Sequence, residues 1–319
     1  MIEIKNFDLL SPSGISYGGH SGSKKGVIID NEKWFLKYPK STKSMEVENL
    51  SYTTSPLSEY LGSEIYKTFG IDTHETKLGI ADGKLVVACK DFLISSEVII
   101  DYNSIKNDYD VNIEKAILEL PSSSSSSFFN EDIEELFIIM ENNHYFKKIP
   151  ELKKRFWDMF VVDAFISNND RNEANWGLIL DKETNNLRVA PVFDNGASFY
   201  TKSSDERLMS IYEDDLKIKQ SVYDSSISAF KKNGKKINPL KFIESMENKD
   251  CNEAIIRNVP KIDFNKMEEI FNEVPEICNN IPIFGNVKKL FYLKSLKYKY
   301  ENVLLPTYNK LMKKCELEN

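Results

Sequence analysis

Asn169-Asp170-Arg171-Asn172-Glu173-Ala174-Asn175 is the stretch whose reading decides the fold, together with Phe193-Asp194-Asn195-Gly196 further along the chain. Asp170 and Asn175 stand five residues apart, and Asp194 follows Asp170 by twenty-four. Any one of these residues is explained by turn preference, since Asp and Asn both favour turns. Their order asks for more. Phosphoryl transfer from a nucleotide needs a carboxylate to orient the attacking hydroxyl. It also needs a neutral oxygen and a second carboxylate to hold magnesium against the phosphates. An Asp-x-x-x-x-Asn loop followed by a later Asp-containing turn supplies those groups in that order. The stretch therefore predicts a kinase, with Asp170 as the catalytic residue and Asn175 and Asp194 as metal ligands.

The flanks agree with that expectation. Phe156, Trp157, Phe160, Val161, Ala164 and Phe165 recur at helical spacing, which predicts a buried helix ahead of the loop. Trp176-Gly177-Leu178-Ile179-Leu180 predicts a short strand, and Leu187 to Val192 its returning partner across the polar segment 181–186. A hairpin between Asn175 and Asp194 would bring both metal ligands to one end.

Asn168-Asn169-Asp170-Arg171, Asn175-Trp176-Gly177 and Ala190-Pro191-Val192-Phe193-Asp194 resemble the HipA-like serine/threonine kinases. The resemblance is specific over Gly18–Phe92 and Phe156–Phe199 and weak elsewhere. It implies phosphorylation of a protein substrate on serine or threonine, often with autophosphorylation. Members of that family act as toxins beside a small DNA-binding antitoxin, so the resemblance also implies an antitoxin-type partner, although nothing in this chain encodes one.

Residues 1–92 read as strands around one helix. Tyr17 to Gly26 is rich in glycine, serine and lysine, a composition whose free backbone N–H groups suit phosphates. It matches neither GxGxxG nor a P-loop. In the HipA-like pattern a comparable turn precedes a strand, which implies nucleotide contacts at Gly22, Ser23 and Lys24. Lys33-Trp34-Phe35-Leu36-Lys37-Tyr38-Pro39 is the next predicted strand, and Lys37 at its end is where a kinase places its phosphate-binding ammonium. Ser55 and Pro56 predict a helix start, and Gly70 its end. A glutamate of this helix would pair with Lys37; Glu59 fits the family's pattern better, and Glu64 stays open. Leu85 to Phe92 predicts a buried strand leading to a hinge whose backbone would meet the adenine edge, which nominates Cys89 and Lys90.

Composition narrows the remaining classes. The 319 residues allow one bilobal domain or two smaller ones. Apolar residues at 41%, with 12% aromatic, are enough for a sizeable core. A net charge of −7 argues against nucleic acid as the main partner. Cys89, Cys251, Cys278 and Cys315 are far apart and form no CxxC pair, so with three scattered histidines the spacing carries no zinc pattern. No run of about eighteen apolar residues predicts a membrane span. Met1-Ile2-Glu3-Ile4-Lys5 lacks a signal peptide's apolar segment, and the expected location is cytoplasmic.

From about Leu93 helical signals dominate. Ser122 to Ser127 predict a flexible loop, and Asn130 a helix cap. Residues 201–236 carry few periodic signals. Leu290, Leu293, Leu296, Tyr300 and Val303 predict an amphipathic helix with a solvated basic face. The whole predicts a two-lobed, kinase-like α+β fold. Residues 1–92 would be a strand-rich N-lobe and 93–319 a mainly helical C-lobe, with ATP and magnesium between them. A small-molecule or lipid kinase shares the same Asp and Asn logic and remains the alternative. A pseudokinase fits less well, because Lys37, Asp170, Asn175 and Asp194 are all present.

Overall fold

The computed structural model describes residues 1–15, 24–45, 49–108, 113, 117 and 132–318. Gly22 and Ser23 of the glycine-rich turn, the six serines and the expected cap Asn130 lie outside the described residues.

Strands β1 (Lys5–Asn6), β2 (Lys24–Ile29), β3 (Glu32–Lys37), β4 (Thr76–Ala81) and β5 (Lys84–Lys90) form a sheet in the order β1-β4-β5-β3-β2. The β1–β4 pair is parallel and the other pairs are antiparallel. Asp30-Asn31 and Asp82-Gly83 close the two hairpins with positive φ at both residues, the turn geometry that matches strand twist.

Strand alternation sorts the side chains onto two faces. Trp34 and Leu36 of β3 join Val86 and Ala88 of β5 in a small core with Phe7 of the N-terminal segment. Phe35 and Lys37, and Val87 and Cys89, therefore face the opposite way. That face is covered by helix α1 (Ser55–Thr68). Leu57, Leu61 and Ile65 of α1, four residues apart, belong to the main core along with Tyr66 and Phe69. Helix α1 starts with Pro56 in its first turn, but its N-cap is Thr54, not the expected Ser55, and no side chain bonds there. Gly70, with φ of 67°, follows its end.

The chain then leaves this sheet. Strand β6 (Glu97–Asp101) pairs with β7 (Gly177–Asp181), which pairs with β8 (Leu187–Val189) in a separate three-stranded sheet. Around it lie α2 (Tyr102–Lys106), α3 (Ile133–Asn142), α4 (His144–Lys148), α5 (Pro150–Ile166), α6 (Asp205–Tyr212) and α7 (Asp215–Ser225). These are followed by α8 (Pro239–Ser245), α9 (Lys249–Asn258), α10 (Phe264–Glu273), α11 (Asn286–Lys299) and α12 (Leu305–Glu318). Helix α5 is the central one, buried at every residue from Phe156 to Ile166. Phe156 meets the rings of Trp157, Phe160, Trp176 and Phe230, so truncating it to alanine would cost about 3–5 kcal/mol. No described helix is long and apolar enough to cross a membrane.

Several local expectations change. Asp132 caps α3, with its carboxylate accepting from Glu134 N. The segment 201–236 contains α6 and α7, capped by Ser204 and Asp214, whose short amphipathic turns are too diluted by charge to show in the sequence. The returning strand stops at Val189, and Val192 instead makes a bridge to Thr73. In the C-terminal helix the buried face is Phe291, Tyr292, Leu296 and Val303, while Leu290 is 38% exposed. Residues Tyr300–Leu304, which include Val303 of that face, are π-helical. Lys299, expected among solvated lysines, is fully buried.

Candidate active site

Because alternation turns Lys37 toward α1, its ammonium meets Glu59, which the helix presents at a buried position one turn in. Lys37 Nζ lies 2.8 Å from Glu59 Oε2 and 2.8 Å from Asp194 Oδ1. Burial alone would lower the lysine's pKa, but Asp194 and Glu59 outweigh it and the net shift is upward. Burial likewise works to raise the pKa of Glu59, and Lys37 more than reverses this. Both groups are held charged. Glu64 turns away and pairs with Lys67 at 2.6 Å, so the sequence's open choice falls to Glu59 as the partner of Lys37.

Asp194 sits at φ of 59°, a left-handed conformation that Asp tolerates better than bulky residues do. The turn is pressed against α1: a Cβ on Gly62 would lie 2.8 Å from Asn195 Cβ, so glycine is required there. Asn195 N donates to Glu59 Oε1 at 2.9 Å and its Nδ2 to Ser63 Oγ at 3.0 Å.

The loop carrying Asp170 leaves α5 through Ser167, which has φ of 56° and caps the helix. Asn172 Nδ2 donates to Asp170 Oδ1 at 3.0 Å, and Asn175 Nδ2 donates to the Asp170 carbonyl at 2.7 Å. A cleft of about 420 Å³ has Lys37, Lys40, Glu59, Asp170, Asp194 and Lys202 on its walls. Asn175 is buried behind Asp170 instead of lining that cleft. Lys24 stands opposite Lys37 in the β2–β3 ladder, and burial with the nearby Lys37 charge lowers its pKa.

Cys89 and Lys90 occupy different places from those expected. Both are interior to the ladder: Cys89 pairs with Phe35 and stands across from Thr76, and Lys90 N donates to Glu75 O at 2.9 Å. A strand flanked on both sides has no backbone N–H left for a nucleobase. The Lys90 side chain pairs with Glu32 and Glu75 at the sheet surface.

Sequence reasoning missed the group that ties the loop to the Asp194 turn. Arg171 is buried and pairs with Asp163 of α5, Nε to Oδ2 at 2.8 Å. It also donates to the carbonyls of Asn175 and Phe193 and, at 2.6 Å, to Asn195 Oδ1. Tyr66 of α1 donates to Asp163 Oδ1 at 2.7 Å, which brings the helix of Glu59 into the same network. The available signal was Asp163 itself, an acidic residue inside an apolar helix. Lys299 was missed as well. It donates to Phe165 O at 2.8 Å and to Ser167 Oγ, directly beneath the loop, and burial pushes its pKa down to about 7.

No family model matches the chain. Over 255 residues, 80% of this chain and 74% of the relative, it is 32% identical to the serine/threonine-protein kinase CtkA of Helicobacter pylori. The chain belongs to the family of this serine/threonine-protein kinase. The crystal structure of the Helicobacter pylori proinflammatory kinase CtkA superposes with a TM-score of 0.84, at 27% identity over 98% of each chain. A HipA–HipB–operator DNA complex from Shewanella oneidensis contains a chain matched with a TM-score of 0.52 at 10% identity, covering 94% of this chain and 70% of that one. This second likeness is one of fold. The chain thus has the α+β kinase-like architecture that the sequence predicted.

Proposed function

We propose that this protein transfers the γ-phosphoryl group of ATP to a serine or threonine hydroxyl of a protein, its own chain included, with magnesium as cofactor. Residues 1–92 form the upper lobe of this enzyme and 93–319 the lower. The observation that carries the proposal is the bridge from Glu59 through Lys37 to Asp194 on the same cleft as Asp170.

The residues fit magnesium. Asp194 engages Lys37 through Oδ1, and Asn175 uses its amide nitrogen within the loop, so a carboxylate oxygen and an amide oxygen remain for a hard cation. Magnesium at these two residues would offset the negative charge of the phosphates. Lys37 holds phosphate oxygens, and Glu59 fixes where the ammonium points. Asp170, steadied by Asn172, accepts the hydrogen bond of the substrate hydroxyl and orients it. Lys40 and Lys202 add two ammonium groups to a cleft wall that also carries Glu59, Asp170 and Asp194, and they supply charge partners for phosphate oxygens. The nucleobase edge is read by backbone beyond the ladder, after Asp91.

The test is incubation of the purified protein with labelled ATP and magnesium, alone and with a generic protein acceptor, beside Asp170→Asn. Label on serine or threonine that requires both magnesium and Asp170 is the expected result. Label passing only to small molecules or lipids, or none at all, overturns the proposal.

A further inference from the structure

Behind Lys37 three buried side chains from three separate elements converge. Glu59 comes from α1, His74 from the segment entering β4, and Cys89 from β5, where alternation turns it toward α1. One ligand atom from each lies within 4.8 Å of the other two. His74 is held in place by its backbone, since His74 N donates to Val192 O at 3.0 Å and the neighbouring Thr73 hydroxyl bonds the same carbonyl. Its ring faces Glu59, with Nε2 2.9 Å from Oε1, while Nδ1 has no hydrogen-bond partner among the described residues. A fully buried ring nitrogen without a partner costs stability unless something else binds it.

We propose that Glu59, His74 and Cys89 form a site for a divalent transition-metal ion, zinc foremost, and that its occupancy takes Glu59 from Lys37 and stops phosphoryl transfer. The second half of this proposal rests on the kinase function; the first does not. A thiolate, an imidazole and a carboxylate are a zinc donor set, and magnesium, which prefers oxygen ligands, is selected against. Without metal, Lys37 faces two carboxylates, Glu59 and Asp194. With zinc bound, the Cys89 S–H bond breaks, its proton passes to solvent and a sulfur–zinc bond forms, so two anionic ligands offset the dication. Lys37 then keeps Asp194 alone. Lys37 and Glu59 both line the cleft, so displacement of the ammonium opens the way in and leaves the fourth coordination position to water. The spacing of cysteines and histidines along the chain could not reveal this site, because each ligand belongs to a different element.

Cobalt(II) and zinc titrations of the metal-free full chain test both halves. Cobalt should bind one ion per chain with a thiolate-to-metal charge-transfer absorption that zinc abolishes. Cys89→Ala should lose that absorption although Cys251, Cys278 and Cys315 remain, and His74→Gln should weaken binding by about tenfold or more. In the ATP assay Cys89→Ala should keep its basal rate and need at least about ten times more zinc for half inhibition. If Cys89→Ala does not fold, Cys89→Ser serves, since it also removes the thiolate absorption. No charge-transfer absorption in the wild type, or the same absorption in the Cys89 variant, overturns the site. Equal zinc inhibition of wild type and variant overturns the switch. A wild type that binds cobalt through a thiolate but transfers no phosphate leaves the site standing and overturns the kinase function instead.

Discussion

Arg171 Nη2 donates to Asn195 Oδ1 at 2.6 Å, so the residue after Asp170 is bonded to the residue after Asp194. Asp170 and Asp194 are thereby set relative to each other through their neighbours. With Asp163 on its other edge, Arg171 is a planar fork filled on both sides, a role a lysine cannot fill.

Arg171→Lys should therefore fold, lose about 1–3 kcal/mol of stability and lower turnover more than it lowers nucleotide affinity. Arg171→Ala leaves Asp163 buried without its partner and should cost about 3–5 kcal/mol. Denaturant unfolding and single-turnover transfer, measured on the same samples, check both. A fully active Arg171→Lys would remove the guanidinium from its linking role.

Asp170 and Asn175 should separate by what they touch. Asp170→Asn keeps nucleotide and magnesium binding while turnover falls by about 10²–10⁴. Asn175→Ala weakens the metal-dependent part of nucleotide affinity. Calorimetric titration with a non-hydrolysable ATP analogue, with and without magnesium, distinguishes them. Equal loss of binding in both variants would make Asp170 a ligand or a structural residue.

Asp194→Asn preserves the left-handed turn, because Asn also tolerates φ of 59°. It should abolish turnover and the magnesium dependence of nucleotide binding without collapsing the fold. Lys37→Ala should lower nucleotide affinity and, by leaving Glu59 buried beside no cation, also lower the unfolding midpoint. Unchanged affinity in Lys37→Ala would move the phosphate contact to another lysine of the cleft.

Lys299 makes a prediction with a definite sign. Its pKa lies at about 7 in the folded protein and near 10.5 when unfolded, so between those values the unfolded chain binds more protons. Stability contributed at this site then rises with pH across that window. Relative to Lys299→Met, the wild type should gain stability from pH 7 toward pH 10.5, whatever the absolute difference at pH 7. The variant should also lose turnover, on the order of tenfold, because Phe165 O and Ser167 Oγ lose the donor that steadies the loop. Thermal unfolding of both proteins across the pH range is the measurement. A wild-type advantage that shrinks as pH rises would place the lysine's charge elsewhere.

The elements that the sequence by itself determined are those specified by neighbours along the chain. The apolar run of α5, the β7–β8 hairpin, the Asp170–Asn175 spacing and the Lys37 strand end all follow from short-range periodicity and turn preference. Tertiary structure decided what depends on which face an element turns to a distant partner. It chose Glu59 over Glu64, placed Cys89 behind Lys37 instead of at a hinge, and brought Asp163 to Arg171 inside the core. Lys299 shows the limit most clearly. Among eight lysines from residue 287 to 314 it has no local mark, yet it alone of them is fully buried, bonded to residues up to 134 positions away. Local patterning carries the propensity of an element but not its rotation against partners that close only when the chain folds, and that rotation sets which polar side chains lose water and must find one another.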